Sequence, residues 1–287
     1  MRRNLICLIA VILFWPLAAT ADAAELDSPK LVGAFVQGGL IHGTTRPGTK
    51  IKFLGRDVRV DARGRFIFGF GRDFPATALL YWRYGDGQRQ SMTLEIKKRD
   101  YKTQRINGLP PKMVTPPKAV LDRIRRENRG ITAVRRLDSP AAWYASGFIW
   151  PARGIVSGVY GSQRILNGKS RRPHYGLDIA NKTGTPVLAS TDGTVALAET
   201  DLYYTGGTVM LDHGQGLTSV YSHLHSVAVR VGRFVRQGEQ IGTLGGSGRA
   251  TGPHLDWRLN WFAQRLDPAL LLGPMPKALK ASKAPKQ

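Results

Sequence analysis

Short apolar runs separated by turn-forming residues are the feature that most limits the folds open to this chain. Between residues 31 and 96 the runs alternate with polar residues, and sequences such as Arg46-Pro47-Gly48 separate them. The chain has 33 glycines and 17 prolines spread along its length, which favours many turns over long helices. This pattern is typical of antiparallel β domains and excludes a coiled coil or a collagen-like helix.

The pattern also divides the chain into segments of different character. Residues 25–98 are predicted to form a small β-sandwich module, and residues 99–147 a linker with one helix at 118–128. Thr115 is expected to cap this helix and Gly130 to stop it. The next segment, 148–273, is predicted to be an antiparallel β domain, followed by a basic disordered tail at 274–287. The predicted fold class is therefore mainly β, with two β units joined by a short helical linker.

Charge and the N-terminal segment limit the partners. Basic residues outnumber acidic ones by 42 to 20, a formal net charge of +22, so the expected partners are anionic. Arg2 and Arg3 precede an apolar run, and Ala21-Asp22-Ala23 has the form of a cleavage site, so residues 1–24 predict a secretory signal peptide. Export to the periplasm or cell envelope makes peptidoglycan and anionic envelope lipids the expected partners. No nucleic acid is expected, and a nucleic-acid binder, suggested by charge alone, is the weakest hypothesis.

Five of the six histidines lie in the second β unit. His174 and Asp178 are four residues apart in a segment, 173–179, that is predicted to be a strand, so their side chains are expected on one face. His254 and Asp256 open another strand, and His223 lies near the end of a third. Converging strands of this kind can supply three ligands to a hydrolytic zinc ion, together with groups that move protons.

The same stretch resembles the lysostaphin-type (LytM-type) zinc metallopeptidases in the order and spacing of its motifs. The similar motifs are His174-Tyr-Gly-Leu-Asp178, Gly184-Thr-Pro-Val-Leu-Ala189, Asp192-Gly-Thr-Val195, Asp212-His-Gly214, Tyr221-Ser-His-Leu224, Val235-Arg-Gln-Gly238 and Thr251-Gly-Pro-His-Leu255. Members of this family are peptidoglycan endopeptidases with an antiparallel β core and a groove across one sheet. The resemblance implies that His174 and Asp178 bind Zn²⁺ and that His223 and His254 are the catalytic histidines.

One position departs from the family motif, which has a histidine as the third zinc ligand where this chain has Asp256. Three interpretations stay open. In the first, Asp256 is the third ligand, because carboxylates also bind zinc, although the less positive site should acidify its water less. In the second, the domain is a zinc-poor murein binder or an activator of another cell-wall hydrolase. In the third, His225 supplies the missing ligand.

The sequence thus predicts an exported zinc metalloendopeptidase that hydrolyses peptide cross-links or stem peptides of peptidoglycan. Its predicted metal ligands are His174, Asp178 and Asp256, its catalytic residues are His223 and His254, and its cofactor is Zn²⁺. The alternative is a catalytically degenerate murein-binding regulator.

Overall fold

The computed structural model describes residues 28–85, 87–108 and 111–276. The predicted signal peptide and residues 277–287 of the predicted tail lie outside these ranges. Seven strands form the N-terminal part: β1 (Lys30–Gly33), β2 (Leu40–Thr44), β3 (Lys50–Phe53), β4 (Arg56–Val58), β5 (Arg65–Gly69), β6 (Thr77–Arg83) and β7 (Arg89–Glu95). They form two antiparallel sheets, in the orders β1-β2-β5 and β4-β3-β6-β7, whose buried side chains share one apolar core.

Alternation along the strands places this core. In β3, Ile51 and Phe53 are buried whereas Lys50 and Lys52 are exposed, because successive side chains point to opposite faces. The Phe53 ring lies 4.5 Å from the ring of Phe68 in the other sheet. The two sheets therefore pack face to face, as the sequence pattern predicts.

The sequence pattern predicts no strand at Leu40–Thr44, where the structure has β2. His42 and Gly43 interrupt its apolar pattern. A Cβ at Gly43 would lie 2.1 Å from the Phe66 ring of β5, so glycine at this position makes room for that ring. Packing against Phe66 and pairing with β1 and β5 therefore stabilise this strand, whose own sequence pattern is weak.

Thirteen further strands follow: β8 (Thr103–Ile106), β9 (Ile155–Gly158), β10 (Gln163–Leu166), β11 (Lys169–Ser170), β12 (Leu177–Ala180), β13 (Pro186–Leu188), β14 (Gly193–Leu202), β15 (Gly206–Gly214), β16 (Leu217–Val227), β17 (Phe234–Val235), β18 (Gln240–Leu244), β19 (His254–Trp261) and β20 (Gln264–Leu266). The main sheet has the order β17-β14-β15-β16-β19-β12-β9, with β18, β13 and β20 attached beside it. Its strand pairs are antiparallel, as predicted.

The predicted linker is more ordered than expected. Its strand β8 pairs in parallel with β10, which also pairs with β11. Two helices follow, α1 (Pro111–Val114) and α2 (Leu121–Val134), with a single 3₁₀ turn at Lys118–Val120 between them.

Helix α2 corrects the predicted helix boundaries. It begins after Val120, with no side-chain cap from Thr115, and it continues through Gly130. An exposed glycine in a helix costs only about 1 kcal/mol relative to alanine. Apolar packing of the last turn offsets that cost, because Val134 clusters with Met210 and Val220 on one face of the main sheet.

The two β units share a core. Trp261 of β19 lies with its ring 6.0 Å from that of Phe53, and Leu266 of β20 fills the space above Gly69. The module is thus fixed against the β19–β20 edge by direct packing and not only by the linker. No helix within residues 28–85, 87–108 and 111–276 combines the length and the apolar character needed to cross a membrane.

Candidate metal centre and catalytic histidines

The side chains of His174 and Asp178 lie close together, but residue 174 is not in a strand as the sequence predicted. The expected strand 173–179 begins only at Leu177, so His174 lies in the loop before β12. Backbone hydrogen bonds fix that loop: His174 N donates to Ser162 O at 2.8 Å, and Gly161 N donates to His174 O at 2.7 Å. This loop conformation places His174 Nε2 3.0 Å from Asp178 Oδ1.

These atoms have the environment of metal ligands. Among the described residues, neither ring nitrogen of His174 nor Oδ1 of Asp178 has a hydrogen bond of normal geometry, although all three atoms are buried. Nε2 and Oδ1 contact each other as an ion pair, and Nδ1 has no hydrogen-bond partner in the part of the chain that the structure describes. Buried polar atoms left unpaired are costly, so native structures rarely retain them without a reason. Their 3.0 Å separation is close to the spacing of about 3.3 Å between two ligands of a tetrahedral zinc ion. The pair therefore fits a cation.

Asp256 completes the predicted ligand set. It lies directly opposite Asp178 in the β12–β19 register. One ligand atom from each of His174, Asp178 and Asp256 falls within 4.8 Å of the others. Two glycines leave space for the carboxylates: a Cβ at Gly158 would lie 2.2 Å from Asp178 Oδ2, and one at Gly176 would lie 2.3 Å from Asp256 Oδ1.

Two arginines that the sequence analysis missed hold these carboxylates. Arg164 Nη2 donates to Asp178 Oδ2 at 2.7 Å, which leaves Oδ1 facing His174 Nε2. Arg258 Nε donates to Asp256 Oδ1 at 2.9 Å, and its Nη2 donates to Oδ2. Asp256 is thus shared with a guanidinium, which competes with any cation for its oxygens. The sequence could have predicted this ion pair, because the two-residue spacing of Asp256 and Arg258 places both side chains on one face of β19.

The same arginine controls the charge of Asp256. Burial alone would raise the pKa of this carboxyl, but the adjacent Arg258 guanidinium holds the pKa well below its usual range. Asp256 is therefore ionised at every pH at which the protein would work.

The two predicted catalytic histidines lie side by side, with ring centroids 4.7 Å apart. His223 Nδ1 lies 2.8 Å from Ser247 O, and His254 Nδ1 lies 2.8 Å from Gly252 O. Since a carbonyl oxygen only accepts, each Nδ1 carries a proton, and in the neutral form of such a ring Nε2 is the proton acceptor. His254 Nε2 is 3.9 Å from Asp178 Oδ1, so the histidines border the ligand group.

His223 adopts an unusual backbone conformation, with φ of 64° in the left-handed region. Strain of this kind persists where the surrounding structure enforces it and is common at functional sites. Burial, with a contribution from His254, lowers the pKa of His223 to about 4, so its ring is neutral near pH 7. Just beyond, the β16–β18 register shifts between Leu224 and Ser226. His225 is exposed and lies outside the ligand group.

His213, interpreted from the sequence as structural, is fully buried. Its Nδ1 lies 2.7 Å from Asp192 O and its Nε2 lies 2.7 Å from Ser219 Oγ. Burial lowers the pKa of His213 to about 4, whereas its contacts with Asp192 raise the pKa and only partly oppose that effect. This environment stabilises the neutral ring.

Acid should therefore destabilise the fold through His213. Because its folded-state pKa lies below the ordinary value of 6.5, the unfolded chain takes up the proton first as the pH falls. This contribution to the free energy of unfolding should be complete above about pH 6.5 and fall by up to about 3 kcal/mol by about pH 4. Urea titrations from pH 7.5 to 4.5 should show a shallower pH dependence for His213→Asn. Parallel pH profiles for the two proteins would contradict this assignment.

Comparisons with known proteins give consistent results. Residues 172–268 match the model described as Peptidase family M23. A segment of 168 residues, 55% of this chain, is 33% identical to the cell division protein DipM of Caulobacter vibrioides, of which it covers 26%. A segment of 113 residues, 39% of this chain, is 39% identical to the DD-carboxypeptidase/endopeptidase Mpg of Neisseria meningitidis serogroup B, again covering 26% of the relative. The chain thus spans about a quarter of these relatives.

A solved structure extends the likeness beyond the matched domain. A crystal structure from Pseudomonas aeruginosa, described as a peptidase M23, superposes with a TM-score of 0.64 at 28% sequence identity. The superposition covers 82% of this chain and 94% of that one. It therefore includes much of the N-terminal part as well as the β domain that carries the histidines.

Proposed function

We propose that the protein is an exported zinc-dependent endopeptidase that cleaves peptides of peptidoglycan, and the premise of this proposal is the match of residues 172–268 to peptidase family M23. Relatives named as endopeptidases support the reaction class, among them the peptidoglycan DD-endopeptidase ShyA of Vibrio cholerae, which is 41% identical over 87 residues. That match covers 30% of this chain and 20% of the relative. The proposed place of action is the periplasm or cell envelope, which follows from the signal-like N-terminus.

The observation that carries this proposal is the buried contact between His174 Nε2 and Asp178 Oδ1, 3.0 Å apart and without a hydrogen bond of normal geometry, with His223 and His254 beside it. His174, Asp178 and Asp256 would hold the zinc ion, which supplies Lewis-acid chemistry at a scissile carbonyl when bound. The chain's own groups supply the rest of the machinery.

The two histidines are the proposed proton-transfer groups. His223 and His254 each have an Nε2 that is free to act as a base, and either can accept a proton from the attacking water. The ring that takes up this proton becomes an imidazolium, which can donate the same proton to the leaving amine nitrogen. The carbonyls of Ser247 and Gly252 fix both rings in the required tautomer.

A second candidate function follows from the ion pair of Asp256 and Arg258. A guanidinium that occupies both oxygens of the third ligand weakens cation binding, and this favours the alternative of a murein-binding regulator without zinc. The name of one relative, the lipoprotein NlpD/LppB homolog of Pseudomonas aeruginosa, does not state a peptidase activity; it is 36% identical over 102 residues, 36% of this chain and 32% of the relative.

Metal analysis and sacculus digestion together separate the two candidates. We expect about one zinc ion per chain by emission spectrometry after dialysis from excess zinc, and release of peptides from purified sacculi. His174→Ala is the matched control and should lose both signals, because it removes the neutral ligand. A wild-type protein that binds sacculi but holds no zinc and releases no peptides would establish the regulator instead.

A further inference from the structure

Arginines gather on the site-bearing face of the main sheet beyond Asp256. Three arginines there are close enough for their like charges to interact: Arg258, Arg265 and Arg135, which follows α2. Burial with these like charges lowers the pKa of Arg135 to about 9 and that of Arg265 to about 10. Within the described residues, Arg258 alone of the three pairs with an acidic side chain, and the buried Nε of Arg135 has no hydrogen-bond partner.

This positive charge continues into a cleft of about 590 Å³ between the N-terminal module and the β domain. Arg72, Arg172 and Arg265 line it, with Tyr175 beside them. The cleft contains one acidic residue, Asp73, and that carboxylate already accepts a hydrogen bond from Arg72. The cleft therefore has an uncompensated positive charge on Arg172 and Arg265.

The register of β19 and β20 gives the distance between the cleft and the candidate metal centre. Arg265 lies opposite Asn260 in the β19–β20 pair, and its Nη1 donates to Asn260 Oδ1 at 2.7 Å. Asn260 follows Asp256 by four residues on the same strand, a distance of roughly 13 Å at about 3.3 Å per residue. An extended peptide spans this distance in about four residues.

We propose that this cleft is a subsite for a carboxylate of the peptide substrate, held by Arg172 and Arg265 about four residues from the bond that is cut. This inference rests on the proposed function and adds the substrate's charge to it. Guanidinium groups bind carboxylates through two parallel N–H donors, which gives both affinity and orientation. Tyr175 also lines the cleft and is the neighbour in the chain of the proposed ligand His174.

Binding of stem peptides isolated from peptidoglycan tests the subsite without requiring hydrolysis. Isothermal titration of the intact protein in the presence of a chelator should show binding of the free-carboxylate peptides and at least about tenfold weaker binding of the same peptides after amidation. Arg172→Gln and Arg265→Gln should each weaken binding of the free-carboxylate form to a similar extent. Arg230→Gln, which removes an exposed arginine outside the cleft, should bind as wild type does.

The outcomes separate this inference from the proposed function. Equal affinity for the free and amidated peptides, or unchanged affinity in Arg172→Gln, would overturn the subsite even if the protein digests sacculi. Arginine-dependent binding without any digestion would retain the subsite and reject the endopeptidase. Arg172 is exposed, so its variant stays informative if Arg265→Gln fails to fold. Displacement of the peptides by millimolar inorganic phosphate with equal potency in Arg172→Gln would also count against the subsite.

Discussion

Replacement of His223 by alanine is expected to reduce peptide release from sacculi by about 100-fold to 10,000-fold while zinc content stays at the wild-type level. His223 Nδ1 donates to Ser247 O, and its Nε2 is one of the two proton acceptors in the proposed reaction. The ring stands beside His254 and is not one of the three grouped ligands. Its loss therefore removes a proton-transfer group and leaves the ligand set intact.

A nearby histidine provides the control for this experiment. His225 is exposed two residues further along β16, and His225→Ala should retain wild-type activity and zinc. Loss of zinc from His223→Ala would show that His223 is a ligand, and loss of zinc from His225→Ala would make His225 the third ligand in place of Asp256.

The second large effect is expected at Asp256. Removal of this carboxylate leaves two protein ligands, which hold zinc poorly, so zinc and activity should be lost together. Asp256→Ala alone also leaves the Arg258 guanidinium without its carboxylate partner, and an unpaired buried charge can cost about 3–5 kcal/mol in stability. The double variant Asp256→Ala/Arg258→Gln removes both charges, so it should fold and yet hold no zinc by emission spectrometry.

A substitution of Asp256 by histidine tests the position at which this chain departs from the motif that it resembles. Asp256→His/Arg258→Gln restores a neutral imidazole ligand and removes the competing guanidinium. We expect zinc to be retained, with activity on sacculi equal to or higher than wild type, because a neutral ligand leaves more positive charge on the ion. Cleavage that persists in Asp256→Ala/Arg258→Gln with zinc still bound would exclude Asp256 as a ligand.

Much of the fold follows from local patterns. Alternation in segments such as β3 and β19 sorts apolar side chains to the core and polar ones to the opposite face, and this periodicity is visible in the sequence. The predicted end of the helix was wrong because the last turn of α2 packs on Met210 and Val220, which are distant in the chain. Local capping signals at Thr115 and Gly130 could not reveal those contacts.

The sequence by itself determined the two β units and the chemical types of the site residues, since both depend on residue identity and short spacing. Only the tertiary structure decided how those residues meet. A loop held by Ser162, not a strand, brings His174 to Asp178, and a left-handed turn at His223 redirects β16. The ion pairs that hold the carboxylates are likewise tertiary: Arg164 reaches Asp178 from a different strand, because the position of one strand against another depends on backbone hydrogen bonds between segments far apart in the chain.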